Sequence, residues 1–214
     1  MSREAPDESS EATWFPLPAD HLLHLIEYNV FKGLVMIKAA LQYVTVQYRT
    51  VDLQIESICD HTIFPMNSVI IPLSTSLPDS LTPTSSQMNI LHSAWINLLP
   101  FPAMRDNLIK HEYEFDHSDF VKDLVGEQIN LRIFLSPPTS LTGAILQKPE
   151  DEPSNTPTGL VVWGEPHLTD SWEATPGFLK KWAWAVRNCR ELVNSTNRWR
   201  ETRGEEPLVV DMLE

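Results

Sequence analysis

The chain has 214 residues, 42% of them hydrophobic, a formal net charge of −13 and a pI near 4.9. That length supports one globular domain with a sizeable core and excludes a wholly disordered chain. The acidic balance argues against a protein that binds nucleic acid through phosphate contacts alone. Its two cysteines, Cys59 and Cys189, make neither a disulfide framework nor a zinc site.

The first residues, "MSREAPDESSEATWFPLP", are acidic and lack an apolar core, so residues 1–17 read as a disordered acidic tail and not as a signal peptide. Asp20 is placed to cap a helix running to about Tyr48. Leu22, Leu23, Ile26, Val30, Gly33, Ile37, Leu41 and Val44 form one apolar stripe, and Leu25, Met36 and Tyr43 a second beside it. Two adjacent apolar faces predict a central helix of a bundle, with Gly33 letting another element approach closely. Glu27, Asn29, Lys32, Lys38 and Gln42 interrupt the stretch, so it is not expected to span a bilayer. These features predict a nuclear or cytoplasmic protein with no membrane partner.

Beyond this helix the signals thin out. "VDLQIESICDHTIF" fits either a short helix or a strand, and "PLSTSLPDSLTPTSS" reads as loop. "QMNILHSAWINLL" from Gln87 predicts a helix broken by "PFP", and Pro102 starts another at "AMRDNLIKHEYEF". Asp116 or Ser118 caps "DFVKDLVG", which Gly126 ends. "INLRIFL" (129–135) is a strand candidate, to be paired with "GLVVW" (159–163). Residues 136–158, rich in Pro, Ser and Thr with an acidic centre, predict a flexible loop.

The last predicted helix starts at the cap Thr175 with Pro176 in its first position and is stopped by Gly204 and Pro207. Phe178, Trp182, Ala185, Val186, Cys189, Leu192, Val193 and Thr196 make its apolar face. Residues 176–203 carry seven Lys or Arg against Glu191 and Glu201, a local +5 on a remainder of −18. Residues 209–214 are left as a C-terminal tail.

Motifs of chemistry are sparse. "HEYEFDHSD" (111–119) holds one Glu-x-x-His spacing, Glu114 and His117, where a di-iron bundle needs two, so it reads as a solvated acidic turn. His21 and His24 are three apart with no third ligand identifiable, and Cys59, Asp60 and His61 are adjacent, which aims them in different directions. There is no Gly-rich phosphate loop, Gly-x-Ser-x-Gly or His-Glu-x-x-His string. No catalytic residue, metal or cofactor is expected. Candidate ligand- or partner-binding residues are Trp95, Arg105, Asp106, Asn107, Trp163, His167, Trp172 and Trp184. Of these, Arg105 is expected to pair with an acidic residue. Trp163 and Trp172 are expected to pack on the start of the last helix. Trp184, among Lys180 and Arg187, is either exposed for stacking or covered by a loop such as 136–158.

"HSAWINLLPFPAMRDNLI" (92–109) and "GLVVWGEPHLTDSWEATPGFLKKWAWAVRNCRELVNSTNRWRETRGE" (159–205), with "HLLHLIEYNVFKGL" (21–34) and "SLPDSLTPTSSQ" (76–87), resemble a fungal domain of unknown function. Many members of that family carry it C-terminal to basic-leucine-zipper (bZIP) segments in proteins classed as transcription factors. The resemblance covers roughly residues 18–208. Here "EPHLTDSW" stands where members tend to carry an Asp-Pro-Trp-type string. Residues 1–20 hold no cluster of Lys or Arg, and no leucine heptad follows.

The resulting expectation is a mainly α, single-domain helical bundle over residues 18–208. It has a long central N-terminal helix, a long amphipathic C-terminal helix and at most one small two-stranded sheet. The resemblance implies a non-enzymatic regulatory or interaction domain that keeps the effector part of such factors and lacks their DNA reader. It would act on a protein partner or small molecule, without sequence-specific DNA binding. The alternative is a stand-alone small-molecule-binding protein or enzyme of a fungal biosynthetic pathway on the same helical domain.

Overall fold

The computed structural model describes the backbone of residues 19–51, 54–57, 67–73, 76–125 and 159–208. Side chains are described for residues 25, 26, 28–46, 68–73, 76–125 and 159–208. Expectations for the two tails, for 129–135, for 136–158, and for the side chains of His21, His24, Cys59, Asp60 and His61 lie outside these residues.

Helix α1 spans Ala19–Val44. Val30, Phe31, Leu34, Ile37 and Leu41 repeat at three and four residues and are buried, so one face enters the core. A Cβ added at Gly33 would lie 3.1 Å from the ring of Pro166, which makes it the point of close approach. The second stripe is not buried. Leu25, Met36 and Tyr43 are exposed, outside the face that enters the core. The helix also ends four residues earlier than its apolar spacing suggests. Thr45 Oγ1 donates to the Leu41 carbonyl at 2.7 Å, and the β-branched run "TVQYRTV" continues as strand β1, Thr45–Val51.

Strand β1 pairs antiparallel with β2 (Gln54–Ser57) and β3 (Asn67–Pro72), and β3 pairs with the short β4 (His92–Ser93), giving the order β2-β1-β3-β4. A second sheet joins β5 (Leu160–Val162) to β6 (Trp172–Ala174). Helices carry most of the described regular structure, but two small antiparallel sheets replace the single sheet expected at most. Pairing depends on partners distant in the chain, which periodicity does not report.

The stretch from Gln87 is not one helix. Helix α2 covers Ser85–Asn89 behind a Thr84/Gln87 capping box, and a 3-10 turn follows β4 over Ala94–Leu98. Side chains take over the polar contacts here. Gln87 Nε2 donates to Asn97 Oδ1 at 2.6 Å, and His92 lies with Nδ1 2.7 Å from the Ile90 carbonyl and Nε2 2.8 Å from Asn97 Oδ1. Helix α3, Pro102–Lys110, starts at the expected proline. Helix α4 spans His117–Val125, and Asp116 Oδ1 accepts from the Ser118 and Asp119 amides at its start.

The expected C-terminal helix is two helices. Helix α5 covers Pro176–Lys181, with Thr175 Oγ1 accepting from the Phe178 amide, and α6 covers Arg190–Thr202. Asn188 between them is left-handed, at φ 62°. A contact distant in sequence makes the break. Asn107 Nδ2 donates to the carbonyls of Ala185 (3.0 Å) and Arg187 (2.8 Å), which an uninterrupted helix would offer to Cys189 and Glu191. All eight residues of the expected apolar face are still buried, from Phe178 to Thr196. Six of them, Phe178, Trp182, Ala185, Val186, Cys189 and Leu192, join residues of α1, α3, α4 and β5 in one contiguous core.

Candidate interaction site

The polar candidates on α3 lie inside the protein. Arg105 is fully buried, and its partners are neutral oxygens, not the expected carboxylate. Its Nε donates to Gln87 Oε1 (2.8 Å), one terminal nitrogen to the Ser80 and Leu99 carbonyls (both 2.6 Å), and the other to the Thr82 carbonyl (2.9 Å). Burial pulls its pKa down to about 10, with the neighbouring Asp106 charge opposing the shift. Asp106 accepts from the Thr84 hydroxyl. Three consecutive side chains thus tie α3 to the 78–99 segment and, through Asn107, to the helix break.

Four of the tryptophans are core or near-core. Trp172 packs edge-on against Phe101 and donates to the Pro166 carbonyl at 2.9 Å. Trp95 lies 5.5 Å from Phe120 and donates to His117 Nδ1. Trp182 packs on Phe120 and donates to Asp123. Trp184 is partly covered by rings of the 111–115 turn, with His111 at 5.1 Å and Phe115 at 5.2 Å. The His167 carbonyl accepts from the Ser80 hydroxyl. The acidic turn is only partly solvated, since Glu112 is buried and accepts from the Ser93 amide (2.8 Å) and hydroxyl (2.6 Å). Among the described residues no three His, Cys, Asp or Glu side chains form a group that could hold a metal ion. Among the described residues no helix is long and apolar enough to cross a membrane.

Trp163 behaves differently from its siblings. It follows β5 and remains 47% exposed, so it does not seal the start of α5 as expected. Yet it is held firmly. Its ring lies 5.6 Å from that of Trp199 on α6, its Nε1 donates to Glu173 Oε2 (2.9 Å), and the Arg203 guanidinium sits 6.0 Å from its ring centre. Glu173, buried on β6, also receives both terminal nitrogens of Arg203. Hydrogen bonds from Glu173 and then Glu205 hold the Arg203 pKa well above its ordinary value, and Arg203 in turn lowers that of Glu205. Trp199 Nε1 and Arg198 both donate to the Asp170 carbonyl. Trp199, Arg203 and Glu173 are not among the candidate site residues of the sequence. The aromatic–cation string Arg198-Trp199-Arg200 was the available signal, but nothing local to it points to Glu173 across the sheet.

The cations expected to make a basic face are largely engaged. Lys181 bridges Asp119 (2.9 Å) and Asp123 (2.6 Å), and these bonds, Asp123 foremost, raise its pKa. Arg198 pairs with Asp170, Arg200 with Glu205, and Arg203 with Glu173 and Glu205.

Neither a curated protein nor a solved structure shows a significant match to the chain. The model of one family, described as a domain of unknown function (DUF3425), matches residues 62–193. The matched range takes in β3 through the start of α6, including the whole Arg105 node and Trp163, and leaves out α1. The match spans more than half of the sequence, and the chain belongs to the DUF3425 family.

Proposed function

We propose that this domain is a non-enzymatic interaction module, related in role to the effector part of fungal bZIP-type transcription factors, and that it engages a protein partner through Trp163. One observation carries the reading: a large aromatic ring half open to solvent, yet fixed by Trp199, Glu173 and Arg203. An anchor already ordered in the free protein loses little conformational freedom on binding, which is the usual setting of an interface hot spot. The polar candidates of α3 support the same reading, because they are consumed in internal hydrogen bonds.

The test is a reporter assay with the chain tethered to an unrelated DNA-binding domain, comparing wild type with Trp163→Ala. A hot-spot tryptophan costs more than about 2 kcal/mol of partner affinity on truncation, roughly thirtyfold. Reporter output should move toward the untethered baseline while the variant stays folded, its melting midpoint lowered by only a few degrees because about half of the ring already faces water. Unchanged output from a folded variant refutes the assignment of Trp163.

A small-molecule reading has one separate observation in its favour. Ser68 Oγ, Asn97 Nδ2 and Glu112 Oε2 are buried without a hydrogen-bond partner, and their residues all neighbour β4. Buried polar atoms of this kind are ordinarily satisfied. A small polar metabolite that raises the wild-type melting midpoint, with the rise lost in Ser68→Ala, would favour that reading.

A further inference from the structure

The outer face of α1 exposes four large apolar or aromatic side chains, Leu25, Tyr28, Met36 and Tyr43, where a solvent-facing helix is normally polar. Leu25, Asn29, Lys32, Met36, Ala39 and Tyr43 are all exposed and recur at alternating spacings of four and three, the spacing of a coiled-coil seam. Tyr28 and Ala40 flank it and are exposed as well. The large side chains are open over much of their surface: Leu25 48%, Tyr28 51%, Met36 46% and Tyr43 83%. Scattered exposed apolar residues need no explanation, but four large ones gathered on one helix face do, even with Asn29 and Lys32 between them.

We propose that this seam pairs with the same seam of a second copy, antiparallel, about a two-fold axis at the level of Leu34. The spacing reads the same in both directions, so the pairing sets residues against partners whose numbers sum to about twice 34. Large then meets small or complementary. Leu25 faces the partner's Tyr43, Tyr28 faces the partner's Ala40, Asn29 faces the partner's Ala39, and the aliphatic stem of Lys32 lies along the partner's Met36 with its ammonium free to reach water. A parallel pair would instead place Lys32 against Lys32 and Tyr43 against Tyr43. That juxtaposition of like charge is what a stable interface avoids. The contact is isologous, so it closes at two copies.

The area fits a weak dimer. From Leu25 to Tyr43 the seam runs about 27 Å at 1.5 Å per residue. A buried aromatic side chain covers about 150–250 Å², so Tyr28 and Tyr43 at their observed exposures offer on the order of 250 Å² per copy. With Leu25, Met36, the alanines and the Lys32 stem, each side approaches roughly 500 Å², or about 1,000 Å² in total, the lower limit of a specific interface. An interface of that size belongs with the weak and transient ones, so association is expected only toward the upper end of the concentration range below. This inference is independent of the Trp163 reading and fails or stands without it.

Sedimentation equilibrium of the full chain from about 1 to 500 μM tests it, with Met36→Lys and Met36→Glu, both checked for wild-type melting. In the proposed register Met36→Lys sets two cations together and should weaken the dimer at least about tenfold. Met36→Glu sets a carboxylate beside the partner's Lys32 and should hold or strengthen it. Monomer throughout the range overturns the proposal, including the case where the seam serves a different protein. A dimer indifferent to Met36→Lys places the interface elsewhere, and equal loss in both variants overturns the antiparallel register.

Discussion

Replacing Arg105 by methionine keeps the volume of the side chain and removes its four donated hydrogen bonds. The four acceptors do not respond alike. The Ser80 and Thr82 carbonyls lie in partly buried contacts and can rehydrate, whereas the Leu99 carbonyl and Gln87 Oε1 sit in buried ones. Gln87 Oε1 also keeps the bond from the Thr84 amide. A buried acceptor left unsatisfied costs about 1–3 kcal/mol. The loop over residues 78–84 loses the group it wraps, while removal of a desolvated charge returns part of the loss. A net fall of about 2–4 kcal/mol results, a sizeable share of the 5–15 kcal/mol typical of a domain. For a chain of this size each kcal/mol corresponds to about 2–4 °C, so the melting midpoint should drop by roughly 4–16 °C. Arg105→Lys keeps the charge but not the planar fork, and should fall between the two. Thermal and urea unfolding of the three proteins decide the matter. A drop under about 3 °C for Arg105→Met would refute the claim that the guanidinium organises this loop.

Cys189 is buried, and burial first, then the Glu191 charge, pushes its thiol up from 9.0 to about 12. The folded state therefore favours the neutral thiol, and its stabilising contribution is present below the unfolded value and lost as pH rises toward 12. Native Cys189 should resist alkylation at pH 8 and react at least about a hundredfold faster in urea, read by mass spectrometry of its peptide. Equal rates would place it at the surface. The isolated chain should show no sequence-selective duplex binding at about 0.15 M salt in fluorescence anisotropy. Saturable binding below about a micromolar, lost on replacing Lys180 and Arg187, would contradict this.

The elements legible in the sequence are those whose signals are local. Pro102 at the start of α3, Asp116 at α4, and Thr175 with Pro176 at α5 all act through contacts within a few residues. The buried stripe of α1 and the apolar face from Phe178 to Thr196 are equally local, since they depend only on spacing. Failures came where a distant partner decides. The break before α6 follows from Asn107, about 80 residues upstream, and the four-stranded sheet depends on β3 finding β1. The candidate site divides in the same way. Trp163 was named from sequence, but its exposure and the role of Glu173 arise only when β5, β6 and α6 meet.

The fate of the basic segment decides which surface is left to act. A local charge of +5 suggests a phosphate-binding face when read along the chain. In the fold, Lys181, Arg198, Arg200 and Arg203 meet carboxylates contributed by α4, by β6, by the turn before it and by the residues after α6. Each exposed pair stabilises by no more than about 1 kcal/mol, so their effect on stability is small. Their effect on character is larger, because a neutralised cation releases few counterions to a polyanion. Arg203 then serves mainly to hold Glu173 and to lie against Trp163. Trp163, held against this segment by Trp199 and Arg203, keeps about half of its ring open, and that indole is the edge which the proposed partner would meet by apolar contact and shape more than by charge.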